Sequence, residues 1–507
     1  MRLKQLCSIA TWTAAAFLLT APAAVRCQPV GATPAPLVIT MDEILQMAVT
    51  NDLDILIVKQ NPIVDKFAID ALYASYDPAF TMNATHSYFA NAGGVDQYGR
   101  ATPVGAVSET TDYQPGLSGQ LPFGTQYSFY TQPGLIEHQT GTFVGPGQNY
   151  DGSVGLNLKQ PLLKNLWIDA PRWNIALARK TLQYDQLALR QQVMTVVNNV
   201  KAAYFTLIFD RQSVQVQADA VKLAQATASQ QKKRVELGAA APLDQRLAES
   251  QAATSEAALL QARQTVVQQE NTLKSLVLQN LSVWNNVTLV PAEQLVAVPE
   301  NPELAECWRT ALAMRPDIQE AKVNLEKQRI TVKYNYNQIF PELDLVGTFG
   351  RNGVGSSASA EIGMIRHGSA KFYTYGIDLT VPLDNIGARS TYKSAKATLQ
   401  QVVLQMKKIE NQAIIAIHND VTAVQSDLLQ IEATRQARVY AEDALTAEQT
   451  KLDHGKSTIV QVLQVQSNLT SARSAEIQAL ANYNIALEQL AFDEGIILER
   501  NRIGFGR

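Results

Sequence analysis

The residues best suited to chemistry are few and poorly arranged for it. Gly455-Lys456-Ser457 resembles the end of a phosphate-cradling loop. Such a loop needs a glycine five residues before its second glycine and a strand leading into it. Position 450 is Thr and the preceding residues are helix-patterned, so this reading fails. The histidines (His86, His138, His367, His418 and His454) are scattered without metal-ligand spacing. The cysteines are Cys7, Cys27 and Cys307, too few and too dispersed for a disulfide framework or a nucleophile with a nearby base. These residues predict neither an enzyme nor a bound cofactor or metal. Net charge is −3 with 18% charged residues, which implies no basic face and no nucleic-acid partner.

The elements around Gly455 are more informative. His454-Gly455-Lys456-Ser457-Thr458 separates two helical patterns, with Gly455 suited to a left-handed helix end and Ser457 or Thr458 to the next helix start. Beyond it Ala479, Tyr483, Ala486 and Leu490 form one coiled-coil seam, and Ile477, Leu480 and Leu487 form a second row. A helix with two seams needs neighbours on both sides. The same design occurs earlier. Leu237-Gly238-Ala239-Ala240-Ala241-Pro242-Leu243-Asp244 is a turn, after which Ala252, Leu259, Val266 and Leu273 recur every seven residues.

The repetition extends along the chain. Ala48 and Ala311, Asp54 and Asp317, and Pro78 and Pro341 are all offset by 263 positions. Pro161 corresponds to Pro382 and Gly238 to Gly455. Each half reads short helix, strands, very long helix, shorter helix. The expected division is 1–27 signal peptide, 28–280 first repeat, 281–303 connector, 304–495 second repeat and 496–507 tail. In the signal, Arg2 and Lys4 precede an apolar stretch and small residues. Cys27 is a candidate lipidation site, although Arg26 stands where a lipoprotein signal has a small residue. The long helices are predicted from about Trp173 to Leu237 and from about Arg389 to His454. Sixty-five residues correspond to about 98 Å, close to the summed length of the two shorter helices of a half. The pattern therefore predicts a tall wall, one long helix plus two half-length helices wide, repeated twice.

Between the helices the period changes to two. Phe80, Met82, Ala84, His86 and Tyr88 alternate with Thr81, Asn83, Thr85 and Ser87. Tyr373, Tyr375, Ile377, Leu379 and Val381 alternate with Thr374, Gly376, Asp378 and Thr380. Strands of about 9 to 11 residues with one apolar and one polar face fit a membrane barrel. Pro78, Pro161, Pro341 and Pro382 mark the strand–helix junctions, which places the strands at one end of the wall. A single copy has too few strands to close a water-filled barrel, so several copies must share one. The competing reading is an exported coiled-coil scaffold whose strands make a soluble β-sandwich without a channel.

The sequence resembles the outer-membrane efflux protein family typified by TolC, over essentially the whole mature chain. The residues carrying this are MDEILQMAVTNDLDI from Met41, Tyr76-Asp77-Pro78, LNLKQPLL at 156–163 and RVELGAAAPLDQRLAESQ around Gly238. In the second half they are ALAMRPDI, IFPELDL, IDLTVPL and LDHGKSTIVQVLQVQSNL around Gly455. The resemblance implies a mainly α fold with membrane β-strands, a homotrimer in which an α-barrel carries a shared outer-membrane β-barrel. It implies a passive exit duct of a tripartite efflux or type I secretion system, contacting outer-membrane lipid, a periplasmic adaptor and an inner-membrane transporter. Leu237, Gly238, Asp244, Gly455, Lys456, Ser457 and Thr458 then correspond to the adaptor-docking tips. Some members carry acidic gate rings just after the second turn. The matching positions are Gln461 and Gln464, with Asp453 as an acidic substitute across the turn. The first half departs from the family's two strands per half: 83 positions separate Pro78 from Pro161, against 41 between Pro341 and Pro382. The additional Leu117–Thr131 hairpin either widens the barrel or packs as a loop or plug, the latter being the expectation.

Overall fold

The computed structural model describes residues 35–90, 92–101, 107–139, 147–284 and 287–504. The expected signal peptide and Cys27 lie outside the described residues. The chain begins with β1 (Ala35–Ile39), α1 (Met41–Asn51), α2 (Leu53–Val58) and α3 (Asn61–Tyr73). Thr40 caps α1 reciprocally with Glu43, the capping box that the sequence shows. Residues 52–76 do not form one continuous helix. Asp52 caps α2, and Pro62 opens α3 where its missing N–H costs least.

Strands β2 (Ala79–Ala90), β3 (Val107–Gln120), β4 (Gln126–Gln139) and β5 (Gly147–Pro161) follow, then α4 (Ala170–Glu236) and α5 (Pro242–Val277). The connector contains β6 (Val287–Pro291). The second half comprises α6 (Leu304–Met314), α7 (Pro316–Asn337), β7 (Glu342–Gly355), α8 (Ala358–His367), β8 (Ala370–Thr380), α9 (Ile386–Asp453), α10 (Ile459–Asp493) and α11 (Ile497–Arg500). None of the described helices is long and apolar enough to cross a membrane.

The six long strands form one antiparallel sheet in the order β2-β3-β4-β5-β7-β8. The Leu117–Thr131 hairpin therefore joins the sheet, which corrects the expectation of a loop or plug. Its side-chain pattern explains why. Leu117 and Phe129 are register partners on the face of Phe80 and Leu156, while Ser118 and Ser128 pair on the other. Both faces of the hairpin thus match the sheet. The strands are also longer than expected, at 11 to 15 residues. The strands make one layer rather than a sandwich. The two-stranded parallel sheet of β1 and β6 lies apart from them, beside the α4 core. The Gly- and Ser-rich stretch 351–370 is mostly regular: β7 runs to Gly355, Ser357 caps α8 and Gly368 closes it in the left-handed region.

The helices make the expected wall. Helix α4 has 67 residues, about 100 Å, and α9 has 68. Near the sheet α4 packs between α3 and α7; farther away it packs between α5 and α10, and α9 flanks both α7 and α10. The two seams of α10 face these neighbours. Ala479, Tyr483 and Leu490 join Ile417, Val421 and Val424 of α9. Ile477 and Leu480 pack on the cluster containing Val197, Tyr204 and Leu207 of α4. Leu487 belongs to the first seam rather than the second row, because it packs with Tyr483 against α9.

Candidate functional site: the paired helical tips

Both helical hairpins close with the same backbone chemistry. Gly238 has φ +74° and Gly455 has φ +72°. At the first tip Ala239 N donates to Arg234 O at 2.7 Å and Gly238 N to Val235 O at 2.9 Å. At the second, Lys456 N donates to Lys451 O at 2.8 Å and Gly455 N to Leu452 O at 3.1 Å. These are the paired bonds of a Schellman ending, which satisfies carbonyls a helix end leaves orphaned. A left-handed residue without a Cβ is needed at each position.

The surfaces differ. Leu237 and Leu243 are 83% and 66% exposed, flanking a turn of alanines. Pro242 opens α5, and Asp244 accepts from Ala241 N at 3.3 Å. The second tip is held by polar side chains instead. Thr458 caps α10 by accepting from Gln461 N, and Ser457 Oγ donates to Glu448 while lying 2.9 Å from the Gln461 side-chain amide. Lys451 pairs with Glu448 at 3.0 Å. These two donors, Ser457 first, hold the Glu448 carboxyl below its usual range. Lys456 is exposed.

Gln461 and Gln464 are both exposed near the start of α10. Gln464 Nε2 donates to Asn468 Oδ1 at 3.0 Å. Asp453 is brought not to these glutamines but to the first hairpin, accepting from Gln230 Nε2 at 3.3 Å. Arg234 donates to Leu452 O at 3.2 Å, and Gln466 to Thr227 at 2.9 Å in a buried contact. An apolar cluster of Leu445, Ile459, Val462 and Leu469 lies beneath, with Leu223 against it. The tips therefore form one unit. At the opposite end Pro78 and Pro341 immediately precede β2 and β7, Pro161 is the last residue of β5, and Pro382 follows β8.

A charged cluster that sequence reasoning did not find lies between the two ends. Arg315 donates to Asp493 at 2.6 Å and pairs with Asp317 at 2.8 Å. Burial, followed by the adjacent Asp493 carboxyl, pushes Asp420 up to about 7. Lys201 pairs with Glu488 at 2.7 Å, and burial lowers its pKa against that attraction. The only sequence signal was the Arg315-Pro316-Asp317 break.

The model of the outer membrane efflux protein family matches residues 106–277 and 308–492, more than half of the chain. The chain belongs to the outer membrane efflux protein family. No curated protein sequence matches it. Among solved structures it is similar to a membrane protein from Pseudomonas aeruginosa, with 17% identity, TM-score 0.66, and 90% of this chain and 92% of that one covered. It is similar to the Campylobacter jejuni CmeC outer membrane channel, with 15% identity, TM-score 0.66 and coverages of 90% and 86%. It is also similar to the Vibrio cholerae outer membrane protein VceC, with 18% identity, TM-score 0.64 and coverages of 90% and 96%. At these identities the structures establish the fold, and the family match establishes the working place. The protein is an outer-membrane exit duct for efflux, with a large periplasmic helical part.

Proposed function

We propose that three copies form the duct and that it is the outer component of a tripartite machine. One observation carries this reading: a two-faced six-stranded sheet whose β2 and β8 edges have no partner strand among the described residues. Edges of this kind are satisfied by closure. Three such sheets give a barrel of about eighteen strands, wide enough to leave an aqueous channel. The apolar face, with Phe80, Tyr375, Ile377 and Leu379 all at least 61% exposed, meets lipid. The polar face, with Thr81, Asn157 and Thr348, lines the channel. The helical walls continue the channel into the periplasm, where the tips dock an adaptor that links to an inner-membrane transporter. Gln461 and Gln464 of the three copies form uncharged rings at its closed end.

Oxidative cross-linking between a cysteine at Thr85 in β2 and cysteines scanned along β8 tests the closure. Covalent trimers are expected; only monomers or dimers at every position would refute it. Leu237→Asp tests the docking. As a central apolar anchor it should weaken adaptor binding roughly 30-fold, measured on purified trimers, with unchanged bilayer conductance. Lys456→Glu should have the smaller effect. Unchanged adaptor binding by Leu237→Asp would remove that tip from the interface.

A further inference from the structure

The outer end of the apolar sheet face carries a group of cations that duct function does not use. Strand residues two apart share a face. On the face of β8, Leu379, Ile377, Tyr375, Tyr373 and Lys371 therefore follow one another away from the helices. Phe349 is the register partner of Tyr373, and Arg351 that of Lys371. Tyr373 and Tyr375 stack with ring centroids 6.5 Å apart and planes 2° apart. Aliphatic residues, then aromatic rings, then cations is the order of a membrane-facing surface passing from hydrocarbon to headgroups.

Two features mark the cation level as a site for anions. Arg351 and Lys371 are register partners on one face, and with Arg351 turned onto the carbonyl end of α8 the Lys371 ammonium faces outward with a second cation at its side. Among the described residues neither Lys371 nor Arg366 forms an ion pair, although many cations elsewhere do. Helix α8 completes the arrangement. It lies against β7, where a Cβ on Gly353 would come within 2.6 Å of Glu361 O and one on Gly355 within 2.8 Å of Ala360 Cβ. Glycine at both positions is what lets the helix sit flush. Arg351 Nη1 donates to the carbonyls of Ile365 and Arg366 at 3.3 and 3.2 Å, tying the end of α8 to the strand. Glu361, the helix's only acid, is turned inward and 2% exposed. Ile362, 60% exposed, and the exposed Arg366 lie one turn apart on the outward side. An apolar side chain beside a cation suits a helix resting at the lipid surface.

We propose that Arg366 and Lys371, with Arg351 behind them, bind the phosphates of a glycolipid in the outer leaflet, with Ile362 against its acyl chains. The inference rests on the reading of this face as lipid-facing. Its test uses the full-length trimer in nanodiscs, exchanged with bisphosphorylated lipid A or its dephosphorylated form and measured by native mass spectrometry. The phosphorylated lipid should be retained about tenfold more tightly. Arg366→Gln with Lys371→Gln should bring that preference close to unity, while Arg366→Lys with Lys371→Arg should keep most of it. Equal retention of the two lipids by the unaltered protein would overturn the proposal. So would a preference that survives in the double glutamine variant, or displacement of lipid by inorganic phosphate at equal concentration. A polarity-sensitive fluorophore on Ile377→Cys separates the two readings. A water-like spectrum in bilayers refutes the lipid-facing sheet itself, whereas an apolar spectrum without phosphate preference refutes only the glycolipid site.

Discussion

The two repeats place opposite charges on the same backbone. Asp52 and Arg315, offset by 263 positions, each end one helix and begin the next, with φ/ψ of −59°/129° and −58°/125°. In the first repeat Asp52 is a helix cap, accepting from Ile55 N at 2.9 Å. In the second, Arg315 reaches across to Asp493 and Asp317. The tips repeat this lesson, with one Schellman ending dressed in exposed leucines at Gly238 and in a polar network at Gly455. The two halves share the main chain where it sets direction, and their side chains differ where each half meets different neighbours.

The largest expected break in this comparison is Arg315→Met. It leaves the buried Asp493 carboxylate without its cation, which should destabilise the fold by about 3–5 kcal/mol, against about 1 kcal/mol for Asp52→Ala, which loses only a cap. Thermal unfolding of the two variants in one detergent measures the difference, and equal losses would remove the distinction. A smaller effect follows from pH. The folded chain keeps the Asp420 proton up to about pH 7, whereas the unfolded chain releases it near its ordinary value. The stabilisation is therefore full below the unfolded value and is lost as pH rises through about 7. Since Asp420 is partly solvent-screened, the protein should be about 1–2 kcal/mol more stable at pH 5 than at pH 8 from this group. Asp420→Asn should flatten that slope. The smallest expected effect concerns the gate. If Gln461 and Gln464 form the proposed rings, millimolar divalent cations should change planar-bilayer conductance by less than about twofold, because neutral rings focus little field. Gln461→Asp with Gln464→Asp should create a strong block; strong block in the unaltered protein would refute the uncharged-ring reading.

Much of the fold was legible because its signals are local and repeated. The long Gly- and Pro-free stretches gave α4 and α9 to within a few residues, and Thr40-Glu43 gave the start of α1. The tips were legible because glycine is the residue favoured where a helix ends at positive φ. The inclusion of β3 and β4 in the sheet was hard to read because their Gly and Pro content suggests a loop, although each pairs with its neighbour in sequence, β2 and β5. Helix α8 was missed for a related reason. Its serines and glycines serve as cap, contact surface and terminator rather than as linker. The Arg315 cluster was hidden because its partner is 178 residues away.

The pairing of β1 with β6 also constrains the order of assembly. Ala35 meets Val287 across 252 residues, and Tyr204 of α4 donates to Ile39 O at 3.0 Å within the same core. The earliest described residues of the chain thus have no place to settle until the connector has arrived. The first repeat's helical hairpin can form on its own local contacts, but its waist stays open through that interval. Closing so distant a pair is intrinsically slow. The first half is therefore left unfinished until the connector is present.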